Sequence, residues 1–108
     1  MMILLFIVAA VASSCNKRDF AIYERIGPTF EERFRSFGGL WVSRDAYVDK
    51  IVNQVGLSRT CASCYGDAYI CGWDNCKSAC FRAGSSCTAC LEAAKCIAEC
   101  KKCTNFFH

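Results

Sequence analysis

Hydrophobic and polar positions along the middle of the chain repeat at helical spacing. Phe30, Phe34 and Phe37 fall at i, i+4 and i+7, one face of a helix. Thr29 precedes them, with Glu32 three residues on, a capping-box pattern. Gly38-Gly39 ends that stretch. A second helix starts at the cap Ser43, carries the stripe Val48, Ile51, Val52 and Val55, and stops at Gly56. Beyond it, Ser58 or Thr60 caps a helix running to about Ile70, which Gly72 breaks. Asp74 then caps a short helix on which Cys76 and Cys80 share a face. Gly84-Ser85-Ser86 is a turn and a cap. Cys87, Cys90, Leu91, Ala94, Ile97, Cys100 and Cys103 form one continuous stripe of a last helix, with Cys96 at its flank. Glu92, Lys95, Glu99 and Lys102 fall outside it, as a solvated face requires. No sustained period-2 alternation appears. The expected fold is all-α, a small disulfide-rich bundle of three or four short helices in the C-terminal part.

Composition divides the chain. Met1 to Ala12 are all apolar, too short to span a bilayer, which takes about 20 residues. Ala10-Val11-Ala12 fits the small-x-small rule of signal peptidase, so residues 1–14 are expected to be a secretory signal, with Ala12 and Ser14 at the processing positions. A buried apolar N-terminal helix is the alternative. Residues 16–60 hold charges of both signs and no cysteine, whereas ten of the 11 cysteines lie between Cys61 and Cys103. That layout predicts a helical pro-segment over 15–59 and a mature cysteine-rich domain over 60–108; the alternative is a helical subdomain retained in the final protein. Arg59 is the processing candidate, and Lys17-Arg18 is a second one. A cut at Arg59 leaves an even ten cysteines in the tail, and Cys15 departs with the signal or the pro-segment.

Eleven cysteines in 108 residues mark a disulfide scaffold. Cys61/Cys64 and Cys87/Cys90 are two C-x2-C pairs, close to a zinc-ribbon spacing. The signal segment places the chain in an oxidising compartment, where disulfides form and persist. The expected state is therefore five bridges among Cys61, Cys64, Cys71, Cys76, Cys80, Cys87, Cys90, Cys96, Cys100 and Cys103, with no metal and no cofactor. Backbone ordering costs roughly 1 to 2 kcal/mol per residue. A tail this short offsets that through crosslinks, each contributing about 2 to 4 kcal/mol.

The net charge of +3 is too small for a nucleic-acid footprint. The single His is His108, which disfavours Cys/His and Ser/His/Asp catalysis. Neither a Gly-rich phosphate loop nor an N-x-[ST] sequon occurs. No enzymatic activity and no small-molecule substrate are expected.

Cys64-x6-Cys71-x4-Cys76-x3-Cys80 resembles the cysteine spacing over the first two helices of the Euplotes ciliate pheromones. The order of signal, cysteine-free segment and cysteine-rich tail is similar too, and the ten tail cysteines resemble a richer subgroup of that family. The resemblance implies a Cys64–Cys80 bridge and a disulfide-stapled helical bundle. It also implies a diffusible, secreted, extracellular mating signal that binds a cell-surface receptor and packs as a homodimer. Tyr65, Tyr69, Trp73 and Phe81 are the receptor-contact candidates, because aromatic residues are enriched at interface hot spots. Phe106 and Phe107 follow the last cysteine and are either mobile or docked. A venom-type toxin and a membrane-active antimicrobial peptide are the alternatives. The tail's bases are nearly offset by Asp67, Asp74, Glu92 and Glu99, which disfavours the last of these.

Overall fold

In a computed structural model, which describes residues 13–80 and 85–106, the polypeptide becomes helical directly after Cys15. Helix α1 spans Lys17–Ile26. Its start is a reciprocal capping box: the Asp19 amide donates to Asn16 Oδ1 at 2.8 Å, and the Asn16 amide donates to Asp19 Oδ2 at 2.9 Å. The box expected at Thr29 and Glu32 does not form. Gly27–Thr29 and Glu31–Phe37 are tight 3-10 turns instead, and the second has no side-chain cap. The face itself is as expected, since Phe30, Phe34 and Phe37 are all buried.

Helix α2 spans Arg44–Val55 between the anticipated signals. Ser43 Oγ accepts from the Ala46 amide at 3.1 Å. Gly56 ends the helix in the left-handed region at φ 91°, a conformation glycine adopts without a Cβ penalty. Val48 and Ile51 are fully enclosed.

Helix α3, Arg59–Cys76, runs through Gly72 and Asp74 without a break. Its cap is Ser58, whose Oγ accepts from the Cys61 amide at 3.3 Å. Asp19, only 1% exposed, holds that cap in turn. The Ser58 amide donates to Asp19 Oδ1 at 2.8 Å and the Ser58 hydroxyl to Oδ2 at 2.6 Å. One buried carboxylate thus satisfies backbone donors at the starts of two helices, α1 and α3. Gly66 lets α3 approach α2 closely: a Cβ there would lie 2.5 Å from Val48 Cγ2, a stiff, enclosed methyl. Arg44 bonds Asp67 across the same seam at 2.8 Å.

The continuous last helix is instead two, α4 over Ser85–Ala93 and α5 over Cys96–Thr104, separated where Lys95 turns left-handed at φ 64°. Both pack against α3. Residues 13–15 close the structure: Ser13 Oγ donates to Thr104 O at 2.7 Å and the Ser14 amide to Cys103 O at 2.9 Å. The result is a small all-α, disulfide-rich bundle, with no strand among the described residues.

One aromatic core joins the middle segment to the tail. Phe30 lies 5.0 Å from Tyr23, 5.2 Å from Phe34, 5.8 Å from Phe106 and 6.1 Å from Tyr65, ring centre to ring centre. Tyr23 stacks on Phe106 at 4.3 Å. Phe106 is therefore docked. Leu57, Cys61 and Ala62 complete the same core. Residues 1–12 of the signal segment, Ala12 among them, and Phe81, Phe107 and His108 lie outside the described residues, whereas Ser14 is hydrogen-bonded to Cys103 O.

Candidate interaction surface

The disulfides set the frame of the surface. Four are nested along a helical hairpin: Cys80–Cys87, then Cys76–Cys90, Cys71–Cys96 and Cys64–Cys103, with sequence separations of 7, 14, 25 and 39. They are rungs between α3 with its following turn on one side and α4 and α5 on the other. The fifth, Cys15–Cys61, lies outside the ladder and ties the start of α1 to the start of α3.

Three expectations are corrected here. Cys64 does not pair with Cys80, because about twelve residues of rigid helix, roughly 18 Å, separate Cys64 from Cys76 alone. Disulfide Cα atoms sit about 4.4 to 6.8 Å apart. Cys15 is not a surplus cysteine, because it pairs with Cys61, and both are buried. Cys100 is not in a bridge. It faces α3 at the level of Asp67 and Ala68, where that helix offers no cysteine.

The two C-x2-C pairs are likewise split. Cys61, Cys64, Cys87 and Cys90 enter four different bridges, so they form no zinc-ribbon ligand set. Asp19 lies beside the sulfurs of Cys15 and Cys61, but those sulfurs are bonded to each other and the carboxylate is occupied by α1 and Ser58.

Burial pushes the Cys100 thiol up to about 12, with the carboxylates of Glu31 and Asp67 adding to it. The thiolate is the reactive form, so Cys100 is held inert at neutral pH. Iodoacetamide at pH 8 without reductant is expected to leave the native protein unmodified and to add one group, on Cys100, once guanidinium unfolds it. Intact mass and peptide mapping read the result. Two or more labelled cysteines, or fast labelling of the native state, would contradict this pairing.

The receptor-contact candidates separate by depth. Tyr65 is 6% exposed and belongs to the core. Its hydroxyl donates to Glu31 Oε2 at 3.2 Å, and burial, reinforced by that carboxylate, raises its pKa. Tyr69 and Trp73 are half-buried on one flank of α3, 6.4 Å apart with their planes at 79°. Lys77 Nζ lies 5.5 Å from the Trp73 ring centre, a cation–π contact. Tyr69 also stacks on Tyr47 at 4.2 Å.

Among the described residues, the most exposed large apolar side chains were not among the sequence candidates. Leu40 is 72% and Trp41 96% exposed, on the loop between the second 3-10 turn and α2. Tyr69 anchors that loop: its single hydroxyl proton is shared between Val42 O at 2.8 Å and Gly39 O at 3.0 Å, and its oxygen accepts from the Gly39 amide at 3.2 Å. A sequence signal existed, since Gly38-Gly39-Leu40-Trp41 places two bulky residues in a predicted turn.

Compared with known proteins, the chain matches no family model, no curated protein and no solved structure. Five disulfides fit a small cysteine-rich protein of an oxidising compartment. Among the described residues, no helix is long and apolar enough to cross a membrane.

Proposed function

We propose that this chain is a secreted signalling protein, a diffusible mating pheromone that engages a cell-surface receptor. The observation that carries the reading is the four-rung ladder, which fixes a helical hairpin at intervals along its length. Such crosslinking holds a small protein folded through dilution and proteolysis outside the cell. A rigid scaffold also presents aromatic contacts at little ordering cost: Tyr69 and Trp73 lie on one flank of α3, and Trp41 is 96% exposed on the loop that Tyr69 anchors. The spacing of Cys64, Cys71, Cys76 and Cys80, which resembles that of the ciliate pheromones, supports signalling over the toxin and antimicrobial alternatives.

In this reading the receptor meets a body that includes residues 15–59. Arg59 opens α3 and bonds Asp49 at 2.7 Å, so its side chain is exposed but its backbone is helical rather than the extended loop that proteases cut best. A cut there still leaves both pieces joined by Cys15–Cys61.

The test is saturable binding of the fluorescently labelled, oxidised protein to intact cells of a pairing-competent ciliate culture. Expected are competition by unlabelled protein, loss of binding after trypsin treatment of the cells, and induction of cell pairing. Non-saturable binding with leakage of anionic vesicles supports the antimicrobial alternative and overturns the proposal. Absence of both binding and pairing also overturns it.

A further inference from the structure

We propose that the groove between the Leu40 loop, α3 and α4 binds a single-chain amphiphile with an anionic head, of the fatty-acid carboxylate class. The proposal is independent of the signalling reading, because it concerns what the purified protein holds. The groove has a cavity volume of about 650 Å3 and is walled by Leu40, Ala68, Tyr69, Trp73 and Leu91. Small-molecule sites are typically concave, mostly apolar and roughly 300 to 1,000 Å3.

Its walls are fixed before any ligand arrives. Tyr69 is stacked on Tyr47 and spends its hydroxyl on Gly39 and Val42, which holds the Leu40 loop against α3. Trp73 stands nearly perpendicular to Tyr69, so the two rings form a corner rather than a flat plate. A corner grips a narrow chain on two sides, whereas a bilayer surface or a flat protein face meets only its edges. On the far side, Gly72 and Leu91 approach closely: a Cβ on Gly72 would lie 3.3 Å from Leu91 Cδ2. The α3–α4 wall is stapled by Cys76–Cys90 and Cys80–Cys87.

Charge selects the head group. Lys77 is the one charged side chain among the described lining residues, and no carboxylate lines the groove with it. Its ammonium rests over Trp73, and no described Asp or Glu forms an ion pair with it. An acyl chain laid along Leu40, Trp73 and Leu91 removes apolar surface from water, while its carboxylate meets Lys77 at the end of the slot. A cationic head would meet repulsion at the same point.

The test uses the full oxidised chain carrying Trp41→Phe. Trp41 is fully solvated, and its removal leaves Trp73 as the sole tryptophan of the two. Sodium dodecanoate is titrated below its micelle concentration, with Trp73 fluorescence and calorimetry as readouts and circular dichroism as the check on folding. The expected result is saturable one-to-one binding. Lys77→Gln weakens it about tenfold, the loss of one charge-assisted contact, and Leu40→Ser weakens it as well. Dodecyltrimethylammonium, the cationic counterpart, does not saturate. Both substituted side chains are exposed or lie at the groove, so the core is untouched. The proposal is overturned by non-saturable binding, by equal binding of the cationic amphiphile, by indifference to both substitutions, or by a response confined to anionic phospholipid vesicles.

Discussion

Replacing Cys15 and Cys61 together with alanine is expected to cost the protein about 4 kcal/mol of stability. The chain-entropy argument depends on the loop that a bridge closes, and this one spans a sequence separation of 46. That loop shares no residue with the ladder, which begins at Cys64, so no other bridge compensates for its loss. In a domain of this size the loss corresponds to about 15 to 30 °C in melting temperature. The matched control removes Cys80 and Cys87, a separation of 7 inside the loop that Cys76–Cys90 still closes. It is expected to lose about 2 kcal/mol or less. Thermal unfolding followed by circular dichroism without reductant decides between them. Equal losses for the two variants would show that residues 15–59 add nothing to the cooperative unit.

Phe30→Ala is expected to destabilise by about 3 to 5 kcal/mol, the range for a fully enclosed phenylalanine. Phe30 is 1% exposed and sits where rings from α1, the second 3-10 turn, α3 and the C-terminal stretch converge. Removing it opens a cavity that rigid neighbours on two disulfide-linked halves cannot collapse into. Urea unfolding should show a lower midpoint with an unchanged slope. A loss below about 1 kcal/mol would mean that the middle segment does not pack on the tail as described.

Local signals were legible where one element needed nothing from another. Ser43 and Gly56 bracket α2, and Val48 and Ile51 face inward as their spacing requires. Helix α1 is equally marked, by Asn16 with Asp19 three residues on, but its many charges leave only a narrow apolar stripe around the buried Ile22 and Tyr23. The last helix was misread for a geometric reason. Cys90 and Cys96 are six residues apart, about 120° out of phase on a continuous helix. Both must reach α3, so the chain resets its phase at Lys95. Gly72 read as a breaker because its use is tertiary: it clears space for Leu91.

The pairing was also partly written in the spacings. Cysteines before residue 81 and after residue 84 mirror one another, as two antiparallel rails with rungs at matching heights require. Only Cys61 and Cys100 lack a counterpart in that mirror. Counting cysteines for parity concealed this, because it treated Cys100 as paired and Cys15 as discarded. The exposed Leu40 and Trp41 escaped notice because sequence alone does not tell a solvated turn from one folded back on the core.

The hydrogen bonds from Ser13 and Ser14 to the last carbonyls of α5 bring the two described ends of the chain to the outermost rung, beside Cys64–Cys103. The proposed ligand groove lies at the innermost rung, beside Cys80. Ser13 and Thr104, 91 positions apart in the sequence, are thus held against one another, and the described chain closes on itself like a ring. A probe attached at Ser13 would therefore report on the Cys64–Cys103 end of the ladder, whereas one at Lys77 would report on the groove that reaches Cys80.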